Sequence, residues 1–190
     1  MQKNNTLWQI AVAVSAVAVL ACSALVYGQS GSSGTSRSTS GDSSGRGARA
    51  QGSAELHDLN QQVIQEFRAN QGKVGGRYAN RPLLLLTTTG AKSSQTRTNP
   101  LAYTRDGDRL VVIASFGGGP KNPSWYYNLV ANPEATVEVG GERFRVRARV
   151  TTGEERQRLY NRQAEQAPAF AEYQKKTTRK IPVIVLTRIK

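Results

Sequence analysis

Nine residues, Glu142 to Val150, constrain this chain more than any others. They read ERFRVRARV. Arg143, Arg145, Arg147 and Arg149 alternate with Phe144, Val146, Ala148 and Val150. A period of two puts the arginines on one face of an extended strand and the apolar side chains on the other. A helix would scatter both sets around its axis. Gly140-Gly141 stands just before this run and just after another extended stretch, 135–139. A glycine pair between two strands predicts a tight hairpin, because two-residue turns need positive φ. The frame is therefore an antiparallel sheet with one buried face. The arginine face is read as solvated, in preference to a phosphate- or bilayer-binding stripe.

Other stretches fit the same frame. Apolar or alternating runs cover 83–89, 99–105, 109–115 and 182–189, and Asp106-Gly107-Asp108 joins two of them as a second hairpin. Leu56, Leu59, Val63, Ile64 and Phe67 recur at helical spacing, which predicts a helix over 55–71 ended by Gly72 and Gly75-Gly76. Further helices fit 123–132, 153–166 and 168–176. Six strands with hairpins and few crossover helices predict a mainly β (α+β) domain, an antiparallel barrel with peripheral helices.

The first 53 residues differ in kind. Ile10 to Tyr27, IAVAVSAVAVLACSALVY, carries no charge. As a helix it would span about 27 Å, close to the ~30 Å of a bilayer's hydrocarbon core. Trp8 and Tyr27 flank it at interfacial positions. Residues 1–28 are read as an uncleaved anchor. A secretory signal cut near Ala21 or Ala24, and a lipoprotein signal at Cys22, are the alternatives. Arg37, Arg46 and Arg49 follow the segment and Lys3 precedes it, which tilts the domain toward the cytoplasm. Residues 29–53 are rich in Gly and Ser and read as a flexible linker. The folded domain is 54–190.

Composition then narrows the chemistry. The net charge is +13, and 18 of the 26 cations are arginine, which favours anionic partners. One cysteine and one histidine, Cys22 and His57, leave no disulfide framework, no His/Cys metal site and no Ser-His-Asp triad. Chemistry must come from a cofactor, or from Tyr, Ser, Lys, Arg and carboxylates.

Two polar turns are candidates for holding that cofactor. In TTTGAKSSQTRTNPL, from Thr87 to Leu101, Gly90 frees the backbone for close approach, Ser93 and Ser94 offer hydroxyls, and Lys92 and Arg97 supply charge. The order of residues is not that of the nucleotide-hydrolase phosphate loop. In SFGGGPKNP, from Ser115 to Pro123, three glycines run toward a helix start, with Asn122 as the expected N-cap and Pro123 at the first helical position. Trp125, Tyr126 and Tyr127 follow.

These segments, with PAFAEYQKKTTRKIPVIVL near the C-terminus, resemble the deazaflavin-dependent nitroreductase family over about residues 56–189. The ordered elements G-x-K-S-x-x-x-R-x-N-P-L and K-N-P-x-W-Y-x-N-L-x-A-N-P carry the resemblance. It implies a split β-barrel that binds coenzyme F420, a deazaflavin with a phosphate and an acidic tail. By position, Ala91, Lys92 and Ser93 would meet the phosphate region, with Arg97 as a fork. Thr98, Asn99, Pro100, Leu101 and Ala102 would line the coenzyme channel. Ile113, Ala114, Ser115 and Phe116 would run beside the ring. Ser124, Trp125, Tyr126, Tyr127 and Asn128 would close the other flank. Phe170 and Tyr173 would cover the substrate side. Ser115 and Tyr173 are the candidates for hydrogen-bonding or protonating the substrate.

Phe170, Ala167 and Ala102 depart from tyrosines common in the family, and this separates the question of substrate from that of coenzyme. The resemblance implies a reductase passing a hydride from reduced F420 to a quinone-like, nitroaromatic or unsaturated small molecule, near a membrane reached through the N-terminal segment. FMN in the same barrel type is the less favoured cofactor. The rival class is a non-catalytic basic module at the membrane. Nucleic acid is disfavoured because the aromatics cluster in one helix beside the glycine loop and do not interleave with exposed cations.

Overall fold

The six strands close on themselves in the order β1-β2-β3-β6-β5-β4. They are β1 Leu83–Thr89, β2 Thr96–Asp106, β3 Arg109–Ile113, β4 Glu134–Val139, β5 Glu142–Val150 and β6 Val183–Arg188. All pairings are antiparallel, and β1 seals the barrel by pairing with both β2 and β4. The computed structural model describes residues 44–190 apart from Asn80. The apolar segment 10–27 and linker residues 29–43 lie outside the described residues. Among the described residues no helix is long and apolar enough to cross a membrane.

Both expected hairpins are present. Val139 pairs with Glu142 across Gly140-Gly141, and Asp106 pairs with Arg109 across Gly107-Asp108. Gly140 and Gly107 have φ of 58° and 61°.

The barrel has an inside and a partly covered outside, which explains the continuous apolar runs. In β1, Leu84 and Leu86 join the interior core with Leu110, Val112, Val137, Val146, Ile184 and Leu186. Leu83 and Leu85 point the other way, under Val63, Ile64 and Phe67. Those three belong to α1, Ser44–Ala69. In the same manner Val111, Ile113, Val183 and Val185 pack outward on Leu159 and Tyr160. The last two lie on α3, Gly153–Gln166. A strand covered on both faces has no polar positions to alternate.

β5 has no helix over its outer face, so its alternation survives. Arg145 and Arg147 pair with Glu134 at 2.5 and 2.8 Å, and Arg149 with Glu155 at 2.8 Å. Three of the stripe's four arginines are ion-paired, and all four are exposed.

α1 starts eleven residues earlier than the helix expected over 55–71, and its first residues occupy the end of the stretch read as linker. The physical reason is cooperativity. Once the amphipathic part is nucleated, Arg46, Ala48, Arg49, Ala50 and Gln51 are good helix formers that extend it against the cost of Gly45, Gly47 and Gly52. Two short helices complete the fold: α2, Ser124–Ala131, which sends Trp125 and Leu129 into the interior core, and α4, Ala169–Lys175.

Candidate active site

A groove of about 430 Å³ runs over the barrel between α1, β2, β3, the start of α2 and α4. That volume is within the usual range for cofactor and small-ligand sites. Asn99, Pro100, Leu101 and Ala102 of β2 form one wall. Ile113, Ser115 and Phe116 form the floor side, Ser124 and Trp125 the α2 side, and Phe170 and Tyr173 the α4 side. Eleven of the expected positions therefore share one space: Asn99 to Ala102, Ile113, Ser115 and Phe116, Ser124 and Trp125, and Phe170 and Tyr173. The lining holds no Asp, Glu, His or Cys, and its single charged residue is Arg81.

The turn between β1 and β2 is tied to this groove through α2. Asn128 is buried; its Oδ1 accepts from Ala91 N–H at 3.0 Å, and its Nδ2 donates to Thr88 Oγ1 at 3.0 Å. Ser124 and Asn128 are four residues apart and share a helix face. One face of α2 thus lines the groove and clasps the turn. Arg97 stands two residues before Asn99, on the same side of β2. Thr98 alternates away and its hydroxyl meets Thr87's at 2.8 Å.

Several candidates lie outside the groove wall. Ala114 is fully buried in the barrel interior. Tyr126 leans half-buried on that core, and Tyr127 is exposed, its ring edge-on to Tyr126 at 5.4 Å. The helical period selects Trp125 and Asn128 for the inner face and leaves 126 and 127 outside it. Ala91, Lys92, Ser93 and Arg97 are exposed on the turn.

A Cβ on Gly90 would sit 2.5 Å from Ser93 Oγ and 3.1 Å from Gln95 O, so the turn's own packing also favours glycine there. One local expectation is corrected. Asn122 does not cap α2. Pro123 holds that position, and Asn122 Oδ1 instead accepts from Arg179 Nη1 at 2.5 Å.

Arg179 is a residue that sequence reasoning missed. Besides Asn122 it donates to the carbonyls of Gly119 at 2.9 Å, Ala114 at 3.2 Å and Ser115 at 2.7 Å. It holds the whole 114–122 loop, in which Phe116 has φ 48° and is more than half exposed. Left-handed backbone at a non-glycine residue needs such outside support. Burial lowers the pKa of Arg179 from its ordinary value. Arg156 does similar work behind α4. It donates to Ile181 O at 2.7 Å and to Gln174 Oε1 at 3.0 Å, and stacks on Tyr160 at 4.3 Å. Tyr160 Oη in turn donates to Phe170 O at 2.6 Å, and burial raises the pKa of its phenol. Leu56, Asn60, Tyr78 and Arg81 of the groove were also missed. Only tertiary packing of α1 and the 76–82 segment brings them there.

Arg68, Arg109, Arg145, Arg147, Arg149, Arg158, Arg162, Arg188 and Lys175 are in ion pairs. Lys92 has no carboxylate partner among the described residues, and Arg97 meets only the neutral Gln95 Oε1, at 2.6 Å. Positive charge is left uncompensated beside an apolar groove that has no acid of its own. This suits a flat ligand with an anionic end. No cluster of three or more His, Cys, Asp or Glu exists among the described residues to hold a metal ion.

Comparison with known proteins agrees with this geometry. The family described as F420H(2)-dependent quinone reductase matches residues 59–188. An F420H(2)-dependent quinone reductase of Mycobacterium tuberculosis is 45% identical over 126 residues, 64% of this chain and 85% of that protein. The solved structure of an F420-H2-dependent reductase, FDR-A, is 42% identical with a TM-score of 0.52, covering 59% of this chain and 99% of that one. A second solved structure, described as a domain-swapped dimer, is 37% identical with a TM-score of 0.54, covering 70% of this chain and 98% of that one.

Proposed function

This chain belongs to the F420H(2)-dependent quinone reductase family, and from that premise we propose that it reduces a quinone-like acceptor with coenzyme F420 seated in the groove. The observation that carries the proposal is the juxtaposition of an acid-free, largely apolar groove with the unpaired charges of Lys92 and Arg97. The residues present fit the coenzyme: Lys92 and Arg97 would hold its anionic end, and Pro100, Leu101, Ile113 and Trp125 its ring. When bound, the reduced deazaflavin supplies a hydride equivalent. The chain's own residues orient and protect. The apolar walls exclude water, and α2 fixes the turn against the groove. The lining has no carboxylate or imidazole but four hydroxyls, on Tyr78, Ser115, Ser124 and Tyr173; of these we assign Ser115 and Tyr173, beside Phe116 and Phe170, to donate a hydrogen bond to the acceptor's oxygen and hand on a proton.

We further propose that residues 10–27 tether the domain, with residues 29–190 on the cytoplasmic side, where a lipid-dissolved acceptor is concentrated. Protease added to intact cells then leaves a C-terminally tagged chain whole; a shaved domain defeats this topology.

The direct test of the site is coenzyme titration by fluorescence quenching. Each charge-assisted contact is worth about 1.5–3 kcal/mol, so Arg97→Ala weakens binding by about ten- to a hundred-fold, with Lys92→Ala in the same direction. Unchanged affinity in both variants removes the anionic end from this turn.

A further inference from the structure

The groove has unpaired cations at two places, and the coenzyme's anionic end uses only one of them. Lys92 and Arg97 follow β1, whereas Arg81 precedes it. The seven residues of β1 rise about 3.3 Å each, so roughly 20 Å separates the two places. Strand register says which end of the groove is which. Asn99 pairs with Leu86 and Ala102 with Leu83, so the wall from Asn99 to Ala102 leads away from the turn and toward Arg81. Tyr103 N–H donates to Pro82 O at 3.2 Å, which holds the backbone next to Arg81 against the end of that wall. Ala102 is small and leaves this end open. Arg81 is exposed and has no ion pair or side-chain hydrogen bond among the described residues, so its charge is available to a ligand. It is also the one group in the lining that can meet a full negative charge.

We propose that Arg81 is an acceptor-binding residue whose guanidinium pairs with the oxygen that turns negative as a quinone-like acceptor is reduced. The ligand class rests on the reductase reading; the second cationic place does not. With an anionic end held at the turn, the far end of the groove is left to the acceptor, and that end is Arg81's. Two electrons and one proton, a hydride equivalent from the reduced coenzyme, convert a quinone into the quinol monoanion while the coenzyme is oxidised. A second proton from solvent completes the quinol. Until it arrives, one ring oxygen carries a full negative charge beside apolar walls. Ser115 and Tyr173 serve one of the two ring oxygens, and Arg81 takes the other. A guanidinium is always charged and can fork onto an oxyanion. Arg81 therefore binds the anionic, reduced ring more tightly than the neutral quinone, and an interaction that strengthens as charge develops speeds the step.

The test uses the coenzyme-free full chain in detergent and two probes of nearly equal shape. One is 2-hydroxy-1,4-naphthoquinone, an anion at neutral pH; the other is its neutral 2-methoxy analogue. By calorimetry at pH 7 the anion should bind about ten-fold more tightly than the ether, the low end for a charge-assisted contact because Arg81 is exposed. Arg81→Gln should abolish that preference by weakening the anion alone. Its melting temperature should not move, because the fold loses no contact. Arg97→Ala, at the other end, should keep the preference. In turnover with a neutral quinone, Arg81→Gln should lower kcat about ten-fold with coenzyme affinity unchanged. Equal affinity of the two probes for the unmodified protein, no binding of either, a preference that survives in Arg81→Gln, or one lost in Arg97→Ala instead each overturns the proposal. Coenzyme titration of the same unmodified sample keeps the two readings apart. Failure to bind coenzyme F420 defeats the reductase reading, while the probes still decide whether Arg81 holds an anion.

Discussion

One guanidinium decides the shape of the glycine-rich loop. Arg179 reaches three backbone carbonyls and Asn122 Oδ1 with its planar fork of donors. It holds Ser115 at the groove and Phe116 at its unusual φ. Glycine 118 completes the arrangement: a Cβ there would lie 2.8 Å from Tyr173 O, so the loop can pack flush on α4 only without one. Arg179→Ala would leave several oxygens without donors. Bonds from a charged donor are worth about 1.5–3 kcal/mol, and the losses here are shared and do not add. We expect about 3 kcal/mol of destabilisation from the denaturant midpoint, with coenzyme binding weakened as well. Arg179→Lys keeps the charge but cannot fork, so it should fall between the two. A lysine variant as weak as the alanine one would show that geometry, not charge, is what the loop needs.

α1 is both core and wall. Val63, Ile64 and Phe67 cover Leu83 and Leu85, while Leu56 and Asn60, earlier on the helix, line the groove. Phe67→Ala should cost about 3–5 kcal/mol, as for other fully buried phenylalanines. Deleting residues 1–53 keeps all five side chains, so the truncated protein should be monodisperse by size exclusion and melt cooperatively. Deletion through Ala69 should aggregate, because it uncovers two leucines of β1. The elements themselves were legible in the sequence. Each strand has a period of two or an apolar run, and two hairpins are marked by glycine. What the pattern could not tell was which leucine of Leu83–Leu86 faces inward, since both faces are buried, or that β1 closes on β4. That pairing leaves no local signal. The site was legible where its residues sit in consecutive runs, as at Asn99–Ala102. It was hidden where distant segments supply single side chains. Asn122 looked like a cap because its true partner, Arg179, is 57 residues away. Arg81 and Asn60 carried no mark at all in the chain.

Across the whole molecule, two carboxylates gather the arginines that bind the barrel to its helices. Asp106, at the β2–β3 hairpin, takes Arg158 at 2.9 Å, Arg162 at 3.7 Å and Arg109. Glu155, in the first turn of α3, takes Arg149 at 2.8 Å and Arg109 at 2.9 Å. The hydrogen bond from Arg158, then that from Arg109, lowers the Asp106 carboxyl to about 2. The hydrogen bond from Arg149, joined by that from Arg109, lowers Glu155 to about 2. In the unfolded chain these groups titrate near 3.9 and 4.3. The unfolded state therefore takes up protons first as pH falls. The contribution to stability is fully present above about pH 5 and is lost between there and pH 2. Protonation also removes negative charge from a chain that already carries +13, so repulsion among the freed arginines adds to the loss. Both carboxylates are close to solvent, so each network is worth about 1 kcal/mol and no more. The urea midpoint should be flat from pH 8 to 5 and fall steeply below. Asp106→Asn with Glu155→Gln should start lower at pH 7 and fall less, because the groups that discharge are gone. A double variant whose acid limb is as steep as that of the unmodified protein would assign the acid sensitivity to other carboxylates, with Glu138, held by Arg68, next in line.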